Sequence, residues 1–128
     1  MEELTANVNW LAVIVGFVVS FVLGWLWYSP RLFGKKWAEG IGVELGSAEQ
    51  MPVAAMVTQA LGTFLLSWIV GITAAQEALL TIILIVITYV MLQVSGGLFT
   101  KKSSAAIAID AGFVVAMAVV MILFQGIF

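Results

Sequence analysis

The order of apolar and polar residues divides the chain into four long apolar stretches separated by polar segments. The apolar stretches cover about residues 9–28, 53–75, 78–98 and 104–128. Each is about 20 residues long or longer with almost no charge, which is the length of an α-helix that crosses the hydrocarbon core of a bilayer. A transmembrane β-barrel would have segments of roughly ten residues alternating in polarity, and the sequence has none. The pattern therefore predicts an all-α membrane fold, with four transmembrane helices in one integral membrane domain over 1–128.

The longest polar segment, 29–52, is predicted to be a loop between the first two helices. It starts at Ser29, where the following Pro30 disfavours helical geometry. Apolar and basic residues alternate over 31–37. This pattern fits either a short segment lying in the lipid headgroup layer or a loop held close to the helix end. We interpret the glutamates of the segment as solvated loop residues: Glu39, Glu44 and Glu49.

Composition agrees with lipid as the solvent. Hydrophobic residues make up 63% of the chain and charged residues 9%, against roughly 45–50% and about 25% in ordinary globular domains. The absence of cysteine and histidine excludes disulfides, thiolate nucleophiles and the commonest metal ligands. With five basic residues and a net charge of −2, the chain also lacks the basic surface of a nucleic-acid-binding protein.

The charged residues predict an orientation. All five basic residues lie in the first and third loops, whereas the N-terminus and the second loop carry only acids. The positive-inside rule then predicts that loops one and three are cytoplasmic and that both termini are non-cytoplasmic, in a bacterial inner membrane. Trp10 and Trp68 are expected near the outer interface. The residues expected to anchor the chain at the cytoplasmic interface are Trp25, Trp27, Tyr28, Arg31, Lys35, Lys36, Trp37, Lys101 and Lys102.

The sequence contains an apparent internal repeat. Residues 29–36 and 95–102 both read S-x-x-L-F-x-K-K, and the helices that follow share A-A-x-x-x-[Q/D]-A at 54–60 and 105–111. Two helical hairpins in the same orientation would form parallel repeats about an axis along the membrane normal. On this hypothesis Gln59 and Asp110 occupy equivalent positions. Chance similarity between two helix-to-loop junctions is the alternative.

Small residues recur every four positions in three of the helices. A stripe of this kind lets another helix backbone approach closely, within the chain or between copies. The three stripes are Gly16, Ser20 and Gly24; Ser67, Gly71 and Ala75; and Ala108, Gly112 and Ala116.

Asp110 is the single ionisable side chain inside a predicted span, about six residues into the fourth helix. Acids in that position face the bundle interior and often serve a proton or cation step on a transport path. Alternatively, the role is structural: the carboxyl group accepts hydrogen bonds from Gln59, Thr58 or Lys102, or stays protonated because it is buried. We take Asp110 and Gln59 as the candidate intramembrane polar site.

Enzymatic constellations are missing from the sequence. No carboxylate pair lies within a span, and neither a zinc-protease H-E-x-x-H motif nor a glycine-rich phosphate loop occurs. We therefore expect no catalytic residues, no metal and no cofactor, and we do not expect an enzyme.

Two motifs stand out in the sequence: N-W-L-A-V at 9–13 and, above all, W-Y-S-P-x-L-F-G at 27–34 with Trp37. With these motifs the chain bears a resemblance to a family of small bacterial four-helix membrane proteins classed as a domain of unknown function. The resemblance extends through Leu98-Phe99, the turn at Lys102 and I-D-A-G-F at 109–113, and so covers nearly the whole chain. The resemblance implies that members more often have Asn at the position of Asp110, and it supplies no activity.

Three functional classes follow from these patterns. The first is a homo-oligomeric transporter or channel for a small solute or ion, because four short helices enclose little volume alone. The alternative is an accessory or scaffold subunit of a larger membrane complex. A lipid-modifying enzyme is a distant third. The expected partners are the lipid bilayer and either further copies or a larger membrane complex, with no nucleic acid.

Overall fold

The computed structural model of the protein describes residues 2–42 and 53–128. Across these two ranges the chain forms six α-helices and no strand: α1 (Glu2–Thr5), α2 (Trp10–Trp27), α3 (Gly34–Ile41), α4 (Val53–Ala75), α5 (Leu79–Phe99) and α6 (Ser104–Ile127). Four of them, α2, α4, α5 and α6, are long and apolar enough to cross a membrane. The prediction of an all-α membrane protein with four transmembrane helices is confirmed. Residues 43–52, with Glu44 and Glu49 of the predicted loop, lie outside the described residues.

Short polar side chains define where two of these helices begin. Asn9 Oδ1 accepts the backbone N–H of Ala12 at 3.1 Å, and Ser103 Oγ accepts that of Ala106 at 3.0 Å. These bonds satisfy N–H groups that have no carbonyl partner in the first turn of a helix. The sequence therefore fixes the starts of α2 and α6 independently of any tertiary contact.

Helix α6 is the central element of the bundle. It packs against α2, α3, α4 and α5, and α2 also packs along α4, whereas α4 and α5 touch only sparsely. The core lies between α6 and the helices around it. Its buried residues are Val70, Ile82, Val86, Phe113, Val114, Met117, Ala118 and Met121. The interior of the bundle is therefore filled by apolar side chains.

Most of the remaining apolar surface faces outward, as expected for a protein whose solvent is lipid. Helix α5 is the extreme case: only 11% of its most apolar stretch is buried within the chain. Leu80, Leu92 and Phe99 of this helix are all strongly exposed. Such a surface would be a liability in water, where contiguous exposed apolar patches drive association.

Two of the predicted small-residue stripes hold helices together within the chain. A side chain at Gly16 would press on Met121 and the Ser67 hydroxyl, and one at Gly71 would collide with Val13. Ser67 Oγ also donates to the carbonyl oxygen of Val13 at 2.7 Å. The first stripe therefore packs against α6 and α4, and the second packs against α2.

The charged ends of the bundle differ in sign. The end of α2, helix α3 and the α5–α6 turn lie together, because Trp27 contacts the start of α6 and Ser103 N–H donates to Gly40 O at 3.0 Å. We call this the basic end, since it holds Arg31, Lys35, Lys36, Lys101 and Lys102. The other end carries Glu2, Glu3 and Glu77 and the ring contact of Trp10 with Trp68, with centroids 5.5 Å apart.

Part of the segment predicted as a loop is helical, which corrects the prediction for 34–41. Gly34 and Ala38 of α3 are buried, and Gly40 lies so close to Ser103 and Ala106 that it leaves no room for a side chain. Gly42 ends the helix with a φ of 77°, the left-handed conformation that favours glycine at this position. Two glycines among the eight residues of α3 lower its intrinsic helix propensity, so α3 depends on its contact with α6.

The two copies of the S-x-x-L-F-x-K-K motif differ in backbone conformation. In the first copy, Ser29 and Phe33 lie in the turn that follows α2. In the second copy, Ser95 and Phe99 both lie within α5, and the turn comes only after Thr100. The duplication therefore stays a hypothesis about the sequence.

Candidate functional site

Tyr28 lies where α2 ends and the chain turns back toward α6. Its backbone N–H donates to Gly24 O at 3.1 Å, and the N–H of Gly34 returns to Ser29 O at 2.9 Å. Gly34 is required because a side chain there would collide with the Tyr28 carbonyl oxygen. This tight turn leaves the Tyr28 side chain directed at α6.

The Tyr28 hydroxyl and the Lys102 ammonium meet on the carboxylate of Asp110. Tyr28 Oη donates to Asp110 Oδ1 at 2.6 Å, and Lys102 Nζ lies 3.4 Å from Oδ2. The first is a short, charge-assisted hydrogen bond, whereas the second is longer than the usual N–H···O range. One carboxylate oxygen is thus held tightly and the other loosely. We call these three residues the Asp110 cluster.

The cluster lies near the basic end of the bundle, shielded from solvent to different degrees. Asp110 is buried, about 9 Å along α6 from its first residue at a rise of 1.5 Å per residue. Its side chain is 11% exposed and that of Lys102 is 35% exposed. The acid is therefore fixed inside the bundle, while the lysine reaches solvent.

Aromatic rings surround the cluster. The Tyr28 ring meets Phe113 and Trp37 edge to face, with centroids 5.4 and 5.2 Å away. Trp27 donates its indole N–H to Ile109 O at 3.0 Å and packs on Phe33 at 4.8 Å. The indole N–H of Trp37 is buried without a hydrogen-bond partner among the described residues. These rings hold Tyr28 in place and lower the local dielectric around Asp110.

A lateral groove opens where α4 and α5 diverge. It has a volume of about 530 Å³, and α6 forms its floor. Residues that line it include Thr58, Gln59, Gly62, Tyr89, Val114 and Met117. We call it the α4–α5 groove. It follows from the sparse contact between α4 and α5, with small residues on the α4 wall.

The groove leads along α6 toward the Asp110 cluster. Asp110 precedes Val114 of the floor by one helical turn, so both lie on the same face of α6. On α5, Tyr89 lines the groove and Gly97 contacts Ile107, so Gln93 between them lies level with Asp110. Gln93 Oε1 is buried and, within 2–42 and 53–128, has no hydrogen-bond partner.

The structure places the two residues of the predicted polar site on different surfaces. Asp110 is buried in the cluster, whereas Gln59 is exposed in the groove, where its Nε2 lies 3.4 Å from Thr63 Oγ1. Within the described ranges no hydrogen bond joins Gln59 or Thr58 to Asp110; Lys102 is the partner among the three residues expected from the sequence.

The predicted interface anchors divide into two groups. Tyr28 and Lys102 contact Asp110, and Trp27 and Trp37 belong to the aromatic surround. The others are exposed at the basic end, where they can contact headgroups: Trp25, Arg31, Lys35, Lys36 and Lys101.

Three residues that sequence reasoning did not assign to the site belong near it. Tyr89 and Gln93 are polar residues one turn apart in α5. This spacing could have indicated that both side chains lie on one face of α5. It does not by itself indicate a site, because many polar residues in membrane helices only form hydrogen bonds between helices. Glu39 lines a crevice of about 400 Å³ beside Lys101 and Lys102, formed by the end of α3 and the α5–α6 turn. The proximity of Glu39 to Lys102 could not be predicted from the sequence. It depends on the position of α3 beside the α5–α6 turn, and α3 itself was not predicted.

The arrangement offers hydrogen-bond acceptors and one ion pair, between Lys102 and Asp110. In the described part of the chain, no three acidic side chains lie close enough together to hold a metal ion. A buried carboxylate with one loosely held oxygen, one helical turn from Val114 of the groove floor, is suited to bind a group that donates hydrogen bonds.

Comparison with known proteins identifies a family. A family model described as "Protein of unknown function (DUF1761)" matches residues 11–126. The chain belongs to this family. Searches of curated proteins and of solved structures gave no match. The family description carries no activity, so a functional conclusion has to come from the site itself.

Proposed function

We propose that this chain is the subunit of a homo-oligomeric transporter or channel for a small solute or ion in a bacterial inner membrane, with the α4–α5 groove as part of the path. The groove carries the proposal because it brings polar side chains (Thr58, Gln59, Thr63 and Tyr89) into a mainly apolar lining that opens on the side of the transmembrane bundle. In the described part of the chain, Phe113, Met117 and Met121 belong to the apolar core that fills the centre of the bundle.

The open side of the groove supports the oligomer. Thr58 and Gln59 are exposed there; the Thr58 hydroxyl donates to Ala54 O, but hydrocarbon offers no partner to the exposed amide of Gln59. Ala54, Thr58 and Gly62 follow one another at intervals of four along the exposed rim of α4, and a side chain at Gly62 would meet nothing within 4 Å. A second copy can approach this rim closely and enclose the groove.

The oligomer can be tested by cross-linking, because the chain has no cysteine of its own. Gly62→Cys should form disulfide-linked dimers in native membranes. Val22→Cys, on the exposed face of α2, is the matched control and should remain monomeric. Equal cross-linking of both variants would contradict a specific interface at the groove.

Solute passage can be tested by swelling of liposomes that contain the purified protein. Suitable solutes are potassium chloride, methylammonium chloride, glycerol and glycine. We expect at least one to enter faster than into empty liposomes. Gly62→Leu should slow this entry by filling the groove, whereas Gly96→Leu, which is equally open but outside the groove, should not. Failure of all four solutes, with the chain recovered in a larger assembly, would favour the accessory-subunit function instead.

The proposed orientation places the basic end in the cytoplasm. Single-cysteine variants at Lys36 and Glu77 lie at opposite ends of the bundle. A membrane-impermeant maleimide should label Glu77→Cys in intact cells and Lys36→Cys only after the membrane is opened. The reverse pattern would refute the assignment of both termini to the non-cytoplasmic side.

A further inference from the structure

We infer that the solute of the α4–α5 groove is an ammonium cation with an apolar tail, which replaces Lys102 on Asp110. This inference rests on the proposed function for the identity of the path, and it adds the chemical class of the solute and the residue that the solute displaces.

The polar atoms along the groove are biased toward accepting hydrogen bonds. The hydroxyl groups of Thr58 and Thr63 donate to Ala54 O and Gln59 O, each at 2.6 Å, so both oxygens can only accept from a ligand, and Thr63 Oγ1 already faces Gln59 Nε2 at 3.4 Å. At the level of Asp110, the buried Gln93 Oε1 accepts from no group in the described residues. A ligand that brings N–H donors would satisfy these acceptors.

Lys102 already occupies the position that such a cation would take. Its ammonium group faces Asp110 Oδ2 at 3.4 Å, while Tyr28 holds Oδ1 at 2.6 Å. The side chain is a flexible four-carbon stem, 35% exposed, and the loose distance means that little hydrogen-bond energy holds it. An incoming ammonium group can therefore replace Lys102 without disturbing Tyr28.

A second acidic side chain is available to the displaced Lys102. The crevice of about 400 Å³ at the basic end is lined by Lys102, Lys101 and Glu39. Its volume leaves room for the Lys102 side chain to swing outward, and the Glu39 carboxylate offers a new counter-ion near solvent. Exchange of Lys102 from Asp110 toward Glu39 keeps both charges compensated, which avoids leaving an unpaired charge inside the bundle.

The rest of the groove suits the other parts of the ligand. Tyr28 contacts the carboxylate through its hydroxyl and packs against the rings of Phe113 and Trp37, and aromatic rings attract ammonium groups. Farther along, Leu66, Val114 and Met117 form an apolar stretch toward the middle of the bilayer. The charged head then lies at Asp110 and the tail lies along α6.

The test measures binding of hexylammonium to the full-length protein in detergent by isothermal titration calorimetry. Titrations of 1-hexanol, which has the same tail without charge, and of detergent alone are the controls. We expect saturable binding of hexylammonium and a loss of at least about tenfold in Asp110→Asn. In Lys102→Met, removal of the competitor should raise the affinity by about tenfold if Lys102 occupies Asp110 about nine-tenths of the time.

Lys102→Arg provides a second variant in case the methionine variant does not fold. The guanidinium group binds carboxylates through two parallel N–H donors, so it should be harder to displace, and hexylammonium should bind more weakly than to the unaltered protein. Affinity for 1-hexanol should be the same in all variants.

The possible results separate this inference from the proposed function. Equal affinity for hexylammonium and 1-hexanol, or no effect of any Lys102 variant on hexylammonium affinity, would overturn the inference even if another solute crosses liposomes through the groove. Binding with the predicted order of variants (Met above Lys above Arg) supports the inference even if no solute swells the liposomes, in which case only the transport function fails.

Discussion

Removal of the Tyr28 hydroxyl should destabilise the protein measurably, because it breaks the tightest polar contact between α2 and α6. Tyr28→Phe retains the ring that packs on Phe113 and Trp37 and deletes only the 2.6 Å hydrogen bond to Asp110. The carboxylate is then left with its 3.4 Å contact to Lys102.

The size of the effect follows from the environment of the bond. Hydrogen bonds to charged groups contribute about 1.5–3 kcal/mol in soluble proteins. In membrane helices, the average polar contact contributes about 0.6 kcal/mol, with a maximum of about 1.7. Because the Asp110 side chain is only 11% exposed, water cannot fully replace the hydroxyl. We therefore expect a loss of about 1–2 kcal/mol, close to a tenfold change in the folding equilibrium constant.

The measurement is reversible unfolding in mixed micelles, with rising sodium dodecyl sulfate and tryptophan fluorescence as the signal. Trp27 and Trp37 lie next to the site and report on its integrity. Tyr89→Phe is the matched control: Tyr89 is 54% exposed, and it should lose less than about 0.5 kcal/mol, as exposed substitutions usually do.

A double-mutant cycle with Asp110→Ala identifies the pair responsible. Coupling between Tyr28→Phe and Asp110→Ala should be about 1 kcal/mol, because each substitution removes the same bond. A coupling free energy no larger than about 0.3–0.5 kcal/mol, which is the usual error of additivity, would refute the assignment of Tyr28 as the principal partner of Asp110. The same conclusion would follow if Tyr28→Phe were no more destabilising than Tyr89→Phe.

Three further predictions concern packing around the site. Gly40→Leu should release α3 from α6 and speed backbone hydrogen exchange over 34–41, whereas Gly62→Leu, at an open position, should leave it unchanged. In the same unfolding assay, Trp37→Phe should be neutral or slightly stabilising because it removes a buried N–H without a partner in the described residues, while Trp27→Phe should lose about 1 kcal/mol with its bond to α6. Ser67→Ala should lose about 0.5–1.5 kcal/mol with its 2.7 Å bond to α2; no loss would indicate that close packing alone joins these helices.

The transmembrane architecture could be predicted because it depends on single segments. Twenty apolar residues require a helix in lipid whatever their neighbours are. The sequence also singled out Asp110, because a charge inside a span is rare. Both inferences use one stretch of chain at a time.

The composition of the site could not be predicted, since it depends on which helices meet. Tyr28 and Asp110 are 82 positions apart in the chain. Tyr28 and Lys102 both lie at helix ends, where aromatic and basic residues also serve as membrane anchors, so their sequence context favoured that role. Helix α3 was not predicted because its glycines obscure a helical pattern. The α4–α5 groove was not predicted because it arises from the sparse contact between two helices.

The central position of α6 has a consequence for biogenesis. A ribosome synthesises α2, α4 and α5 before α6, and of these three only α2 and α4 form an extensive contact with each other. Helix α5 gains most of its contacts from α6. Residues of α5 that become buried, such as Ile82 and Val86, must therefore remain against lipid or the insertion machinery until α6 enters the membrane. The hairpin of α2 and α4 can form early, but α5 and the carboxylate with its two partners must wait for the final helix, so assembly is delayed until translation of the bundle is nearly complete.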